Sequence, residues 1–143
     1  MVRPALQLLA ATEYAGANAE YLTAHEHYRK GEHSACLVDC LKSLESTMKI
    51  ICKKSGWHYE QSDRAKKLIE ICFDNSLLPE YLQSYFTSVR SSLESGVPTV
   101  RNKVAGHGQG TQLVSVPLYL VEYLLHLTAT SILFLVRAEQ ALP

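Results

Sequence analysis

Apolar residues in this chain recur at three- and four-residue steps almost from end to end. A helix can turn that period into one buried face; a strand cannot. The clearest run is Leu37, Leu41, Leu44, Met48 and Ile51, with Asp39, Lys42, Ser46 and Lys49 or Lys53 opposite. The pattern predicts a helix from about Ala5 to Lys30, broken near Gly16 and ended by Gly31. A second is capped by Ser34, runs to about Lys54 and is ended by Gly56. Ser62 or Asp63 opens a shorter third, with Ala65, Leu68, Ile69 and Cys72 on one face, and Asn75-Ser76 closes it. Pro79 suits the first turn of a fourth helix reaching about Leu93, with Tyr81, Leu82, Tyr85, Phe86 and Val89 as its apolar side. Glu94-Ser95-Gly96-Val97-Pro98 reads as a turn, and Ser115 with Pro117 starts a last helix that ends near Ala138. No strand pattern competes, so the expected fold is all-α, a bundle of four to five helices.

The 143 residues suit one domain, 1–143, large enough to bury a core without disulfides or metal. Hydrophobic residues make up 47% and charged ones 20%, which excludes a disordered chain. Fourteen basic residues balance fourteen acidic ones, so any contact with nucleic acid must come from a local patch rather than an overall positive coat. Cys36, Cys40, Cys52 and Cys72 lie in helical apolar patterns with no CxxC pair. Buried free thiols and a cytoplasmic location are expected. The N-terminus lacks the apolar core of a secretion signal.

Pro117 to Val136 is almost wholly apolar and about as long as a bilayer span. Glu122 and His126 lie inside it, and ionisable groups within a span are costly. A buried or interface helix is the better expectation, with no membrane partner. Its residues Leu118, Tyr119, Val121, Leu124, Leu125, Ile132, Phe134, Leu135 and Val136 point in nearly every direction, which predicts burial beyond the chain's own bundle. A self-complementary patch would supply it, giving a homodimer through the C-terminal helix. Glu122 and His126 stand four apart and are placed to pair within it.

The chemistry concentrates in Val100-Arg101-Asn102-Lys103-Val104-Ala105-Gly106-His107-Gly108-Gln109-Gly110. Arginine carries a permanent charge and forks onto phosphate oxygens. Histidine gives or takes a proton near neutral pH. Three glycines let a ligand approach the backbone. A guanidinium, an imidazole and an open turn are what cleavage of an RNA phosphodiester requires. The plain alternative is a surface Arg101 paired with Glu94 or capping a helix, and a His107 that satisfies a turn.

Arg101-Asn102, four residues, then His107 resembles the Arg-polar-x4-to-6-His motif of the HEPN superfamily of helical ribonucleases and RNA-binding domains. Leu44-Glu45-Ser46-Thr47-Met48-Lys49, Pro98-Thr99-Val100-Arg101-Asn102-Lys103 and Gly106-His107-Gly108-Gln109-Gly110 resemble the C-terminal domain of abortive-infection proteins. The likeness spans roughly residues 19–138. It implies a helical bundle that pairs about a twofold axis, bringing Arg101 and His107 of each copy to one cleft. It also implies RNA cutting without metal or cofactor, in phage defence or as a toxin, in which case a neutralising antitoxin is a compatible partner.

In such a site the substrate's 2′-hydroxyl is the nucleophile. His107 and its twin would serve as base and acid. Arg101 would hold the phosphate and the charge growing on its oxygens. Asn102 would fix the imidazole tautomer or donate to the phosphate, and Lys103 would add attraction for substrate.

Glu45 and Lys49 have two readings of equal standing. One is a simple pair one turn apart, worth a few tenths of a kcal/mol. The other, lent by the family's Glu-x3-Lys pattern, is a polar pair that faces the cleft and orients Arg101 or His107. His25, Glu26, His27 and His33 do not match a zinc signature and read as a solvated helix end. Trp57, His58 and Tyr59 either stack on a base or pack a helix corner. Three functions follow: a metal-independent endoribonuclease, a non-catalytic RNA- or nucleotide-binding module, and a dimerisation domain of a larger defence protein.

Overall fold

Helix α1 (Ala15–Arg29) and helix α2 (His33–Ser55) form an antiparallel pair in the computed structural model, which describes residues 12–101 and 116–143 together with Arg3 and Gln7. Helix α3 (Ala65–Asp74), helix α4 (Gln83–Arg101) and helix α5 (Leu118–Gln140) complete the bundle, with 3-10 turns at Thr12–Tyr14 and Glu80–Leu82. Among the described residues there is no strand. The all-α bundle expected from the apolar period is the architecture found.

Three helix ends are closed by one device. After α1, Gly31 adopts φ 75° and the Glu32 N–H reaches the His27 carbonyl at 2.8 Å. After α2, Gly56 adopts φ 77°, the Trp57 N–H reaches the Cys52 carbonyl at 2.9 Å, and the indole falls against the core. After α3 the left-handed position is Ser76, φ 59°, and the Leu77 N–H reaches the Cys72 carbonyl at 3.0 Å. Each bond satisfies a carbonyl that its helix leaves unpaired, and each needs a backbone turn that glycine adopts most easily.

Helix α2 is the hub, packing against each of the other four helices. Its contact with α1 sets Ala17 and Ala24, with the large Tyr21 between them, against a face of mostly small side chains that includes Cys36, Cys40, Ser43 and Thr47. Ser43 Oγ donates to the Ala17 carbonyl at 3.2 Å, so a buried hydroxyl joins the pair instead of weakening it. Tyr21 is fully buried and its hydroxyl donates to the Leu125 carbonyl at 2.8 Å, fastening α1 to α5. On α5, Thr128 Oγ1 and Ser131 Oγ donate one turn back to Leu124 and Leu127, which lets a polar pair sit in the core. All four cysteines are buried free thiols.

The two ends of the described chain meet at Lys54. Its ammonium lies 3.0 Å from Glu13 Oε1 and 2.9 Å from Glu139 Oε1, and 5.2 Å from the centre of the Tyr14 ring. Burial works against this cation, but the bonds to Glu139 and Glu13 outweigh it and its pKa rises.

Several local expectations are corrected. Helix α2 begins at His33, before Ser34, and Glu32 at its N-cap supplies no side-chain cap. Helix α4 begins at Gln83 rather than near Pro79, because Glu80–Leu82 form a separate 3-10 turn. Tyr81 is therefore 82% exposed and Tyr85 is also exposed, while Phe86, Val89 and Leu93 make the buried face. The largest difference is at Glu94 to Pro98, read as a turn. Helix α4 runs through it to Arg101. Gly96 and Pro98 are poor helix formers, and proline cannot bond back to the carbonyl four residues earlier. The buried face by which α4 packs on the bundle, Phe86, Val89 and Leu93, lies before these two residues.

Ser76→Gly should remove the strain of a side chain in the left-handed region and raise stability by about 0.5–1 kcal/mol. Tyr21→Phe should lower it by about 1 kcal/mol through loss of the bond to Leu125. Equilibrium urea unfolding measures both.

Candidate functional site

The motif begins where α4 ends. Arg101 is the last residue of that helix, seven residues beyond Glu94 and hence close to it in helical register. The two lie roughly 10 Å apart along the axis. Asn102, Lys103 and His107 lie outside the described residues. The chain is described again at Val116, whose carbonyl accepts a 2.7 Å hydrogen bond from His33 Nδ1, and α5 starts two residues later. That bond requires the Nδ1–H tautomer. It ties the far end of the motif segment to the first residue of α2. His33 was expected in a solvated helix end; it is half-buried and joins two distant parts of the chain.

Glu45 and Lys49 both point toward the segment that leads into α3, and they do not bond each other. Glu45 is 7% exposed, and its Oε2 accepts the Ala65 N–H at 2.8 Å. Ala65 is the first residue of α3, and Arg64 before it offers no side-chain cap. A carboxylate from another helix therefore does the work of an N-cap. It satisfies an orphan amide and sits favourably at the positive end of the helix dipole. Lys49 Nζ donates to the Gln61 carbonyl at 2.7 Å, holding the same connection four residues earlier. Ser62 and Asp63, expected to cap this helix, are not its N-cap; Asp63 Oδ2 accepts the Glu60 N–H at 2.9 Å within the preceding turn.

Burial is the main force on the Glu45 carboxyl and raises its pKa above the ordinary value of 4.5. The Ala65 N–H, Arg64 and Lys49 pull it back down, and Glu94 pushes it up. Glu45 on α2 and Glu94 on α4 thus feel each other, and Glu94 is held by Arg90 at 2.6 Å. This corner gathers carboxylates and cations from two helices and the α3 entry, two turns of α4 before Arg101. A shielded carboxyl with a raised pKa can hold a proton or orient a cation. The sequence reading offered Arg101 as the partner of Glu94 and missed Arg90, whose four-residue spacing is the signal; the contact between Glu45 and Ala65 had no signal in the sequence.

Other groups are committed to structure. His27 Nδ1 and Nε2 lie 3.1 Å from Glu32 and 3.3 Å from Asp39. His25 packs edge-on against Tyr21 with ring centres 5.1 Å apart, and its Nε2 is buried without a hydrogen bond. Burial chiefly, with Arg29 and His126 nearby, lowers its pKa. It was expected in solvent, and the passage of α5 alongside accounts for the change. Glu122 and His126 form no ion pair with each other; Glu122 lies near enough to Tyr28 to raise its pKa, and His126 near enough to His25 to help lower its pKa. Trp57 and Tyr59 pack partly against the core, the corner-packing reading. On α5, Val121, Leu124, Leu125, Ile132, Leu135 and Val136 are buried within the bundle. Leu118 at 52%, Tyr119 at 78%, Tyr123 at 59% and Phe134 at 42% exposure are left partly in solvent; Tyr119, Tyr123 and Phe134 share one side of the helix, and Phe134 also packs on Phe86.

The raised Glu45 pKa fixes a sign. The folded carboxyl keeps its proton to higher pH than the unfolded one, so stability should fall as pH rises from the ordinary carboxylate value through the folded one. Glu45→Gln keeps an acceptor for Ala65 and should abolish that slope. Glu45→Ala strands the amide and should cost about 1–3 kcal/mol. Thermal unfolding across pH separates the two variants.

No curated protein and no solved structure shows a significant match to the chain. A family model described as a HEPN-like domain, Abi_C, matches residues 15–139. That interval takes in the five described helices up to the penultimate residue of α5, the Glu45 corner and the whole Arg101–His107 sequence motif, and the chain belongs to the Abi_C family of HEPN-like domains.

Proposed function

We propose that this HEPN-like domain is a metal-independent endoribonuclease of the defence or toxin type, cutting RNA at a composite Arg101/His107 site in the cleft of a homodimer. The observation that carries the reading is the intact motif, Arg101-Asn102 with His107, inside a family match that covers it. A module that only grips RNA has no need of a group that titrates near neutral pH. The position of Arg101 at the end of α4, near the register of Glu94, supports the reading. So does the Glu45 corner, which offers a shielded carboxyl near that helix.

In this mechanism the 2′-hydroxyl loses its proton to one imidazole and attacks the adjacent phosphorus. The 5′-oxygen leaves with a proton from the other imidazole. The products are a 2′,3′-cyclic phosphate and a 5′-hydroxyl. Arg101 neutralises charge on the non-bridging oxygens. Asn102 orients the ring or donates to the phosphate, and Lys103 draws in the strand. Pairing of two copies would bury the stripe of Tyr119, Tyr123 and Phe134 on α5, a surface that a lone domain leaves in water.

Purified protein incubated with RNA and a chelator should cut it, and a 2′-deoxy substitution at the cleaved position should stop the cut. Arg101→Ala and His107→Ala should each lower the rate by about 10²–10⁴-fold. Parent-like cutting by these variants would refute the assignment, and RNA binding without cutting would favour the non-catalytic module. Tyr119→Asp with Tyr123→Asp should convert a dimer to monomers in light scattering and reduce cutting in parallel.

A further inference from the structure

Helices α2 and α3 advance side by side at an offset of 20 residues, set where Glu45 on α2 meets Ala65 on α3. Seven residues further along each helix stand Cys52 and Cys72. Seven residues are close to two turns, so each cysteine returns to the side of its helix where Glu45 and Ala65 meet. Both thiols are buried, and the Cys72 S–H donates to the Cys52 sulfur. The offset holds to the ends of both helices. The Cys52 carbonyl accepts the Trp57 N–H beyond Gly56, and the Cys72 carbonyl accepts the Leu77 N–H beyond Ser76.

Two sulfurs in this relation can close a disulfide, whereas the other two thiols cannot. Cys36 and Cys40 sit one turn apart on α2, where Cβ atoms stand about 5–6 Å from each other. A disulfide needs about 3.5–4.5 Å, which that helix reaches only by unwinding. Cys52 and Cys72 belong to separate helices. Access comes through the helix ends, since Cys52 lies in the last turn of α2 and Cys72 in the last turn of α3. Terminal turns open more readily than helix interiors. The α3 end is the weaker closure, because Ser76 carries a side chain into the left-handed region at φ 59°. The bond from Cys72 also lowers the Cys52 pKa against the effect of burial, which makes Cys52 the attacking sulfur.

We propose that Cys52 and Cys72 form a reversible redox pair, which a peroxide joins into one disulfide that staples α2 to α3. The Cys52 thiolate attacks one peroxide oxygen and the O–O bond breaks. Cys52 becomes a sulfenic acid, and the hydroxide released takes up the thiol's proton as water. The Cys72 sulfur then attacks the Cys52 sulfur. The S–S bond forms, the S–O bond breaks, and hydroxide leaves with the Cys72 proton as a second water. The thiols lose two electrons and the peroxide gains them. A dithiol reductant reverses the step by exchange. In the oxidised chain α3 is held at its start by Glu45 and near its end by a covalent bond, which suppresses its opening. The device uses no residue of the Arg101–His107 motif and stands whether or not that motif cuts RNA.

Peptide mapping of the whole chain after treatment with hydrogen peroxide tests this. Free thiols, counted under denaturing conditions, should fall from four to two. A non-reduced digest should contain one linked species, joining the Cys52 peptide to the Cys72 peptide. The oxidised chain should melt about 5 °C or more above the reduced one, because the bond closes a loop in the unfolded chain. Dithiothreitol should restore all four thiols and the lower melting temperature. Cys36→Ser should oxidise as the parent does, and Cys72→Ser should show no rise in melting temperature. Retention of all four thiols, a linkage through Cys36 or Cys40, or over-oxidation to sulfinic acid would overturn the proposal. So would a bond between two chains, or an oxidised chain that melts no higher than the reduced one.

Discussion

A single shielded carboxylate holds the corner on which the rest of this structure turns. Glu45 leaves α2 and ends on the first amide of α3, a helix with no side-chain cap of its own. Without that acceptor the start of α3 would bury an unsatisfied donor, and the ten-residue helix would lose the charge that steadies its positive end. Lys49 secures the same connection through the Gln61 carbonyl. Position and charge at this corner are therefore set by two side chains one turn apart on the hub helix. The cost is a carboxyl held above its ordinary pKa by burial, the kind of strain that sites concerned with proton or cation positioning tolerate.

That corner also links fold to function. Helix α4 passes it with Glu94 and continues two turns to Arg101, where the motif opens. His33, at the start of α2, grips Val116, where the chain re-enters α5. Both ends of the motif segment are thereby referred to the same helix. The proposed catalytic pair would need such anchoring, because small displacements of a guanidinium or imidazole from a reacting phosphate cost rate steeply.

The helical architecture was legible because it rests on period. Leu37, Leu44, Met48 and Ile51 are buried as their spacing requires, and Gly31 and Gly56 end their helices in the left-handed turn only glycine adopts freely. What escaped sequence reasoning was tertiary. Gly96 and Pro98 announce a turn, yet the helix continues to Arg101. Glu45 and Lys49 have the spacing of an ordinary pair, yet each reaches across to another segment. His33 looked solvated until the entry to α5 was placed beside it. The broad apolar coat of α5 was half explained, since six of its large residues are buried in the bundle while Leu118, Tyr119, Tyr123 and Phe134 are exposed. Of the proposed site, the Arg-Asn and His signature was visible as chemistry, but no periodicity would encode the proposed meeting of two copies.

That meeting is the central claim, and distance measurement between paired subunits tests it most directly. His107→Cys, spin-labelled in a chain whose four native thiols are buried, reports the separation of the two motifs by double electron–electron resonance. The account predicts one short, narrow distance, with both labels at a shared cleft. A long separation, or no dipolar coupling because the chain remains single, would contradict it.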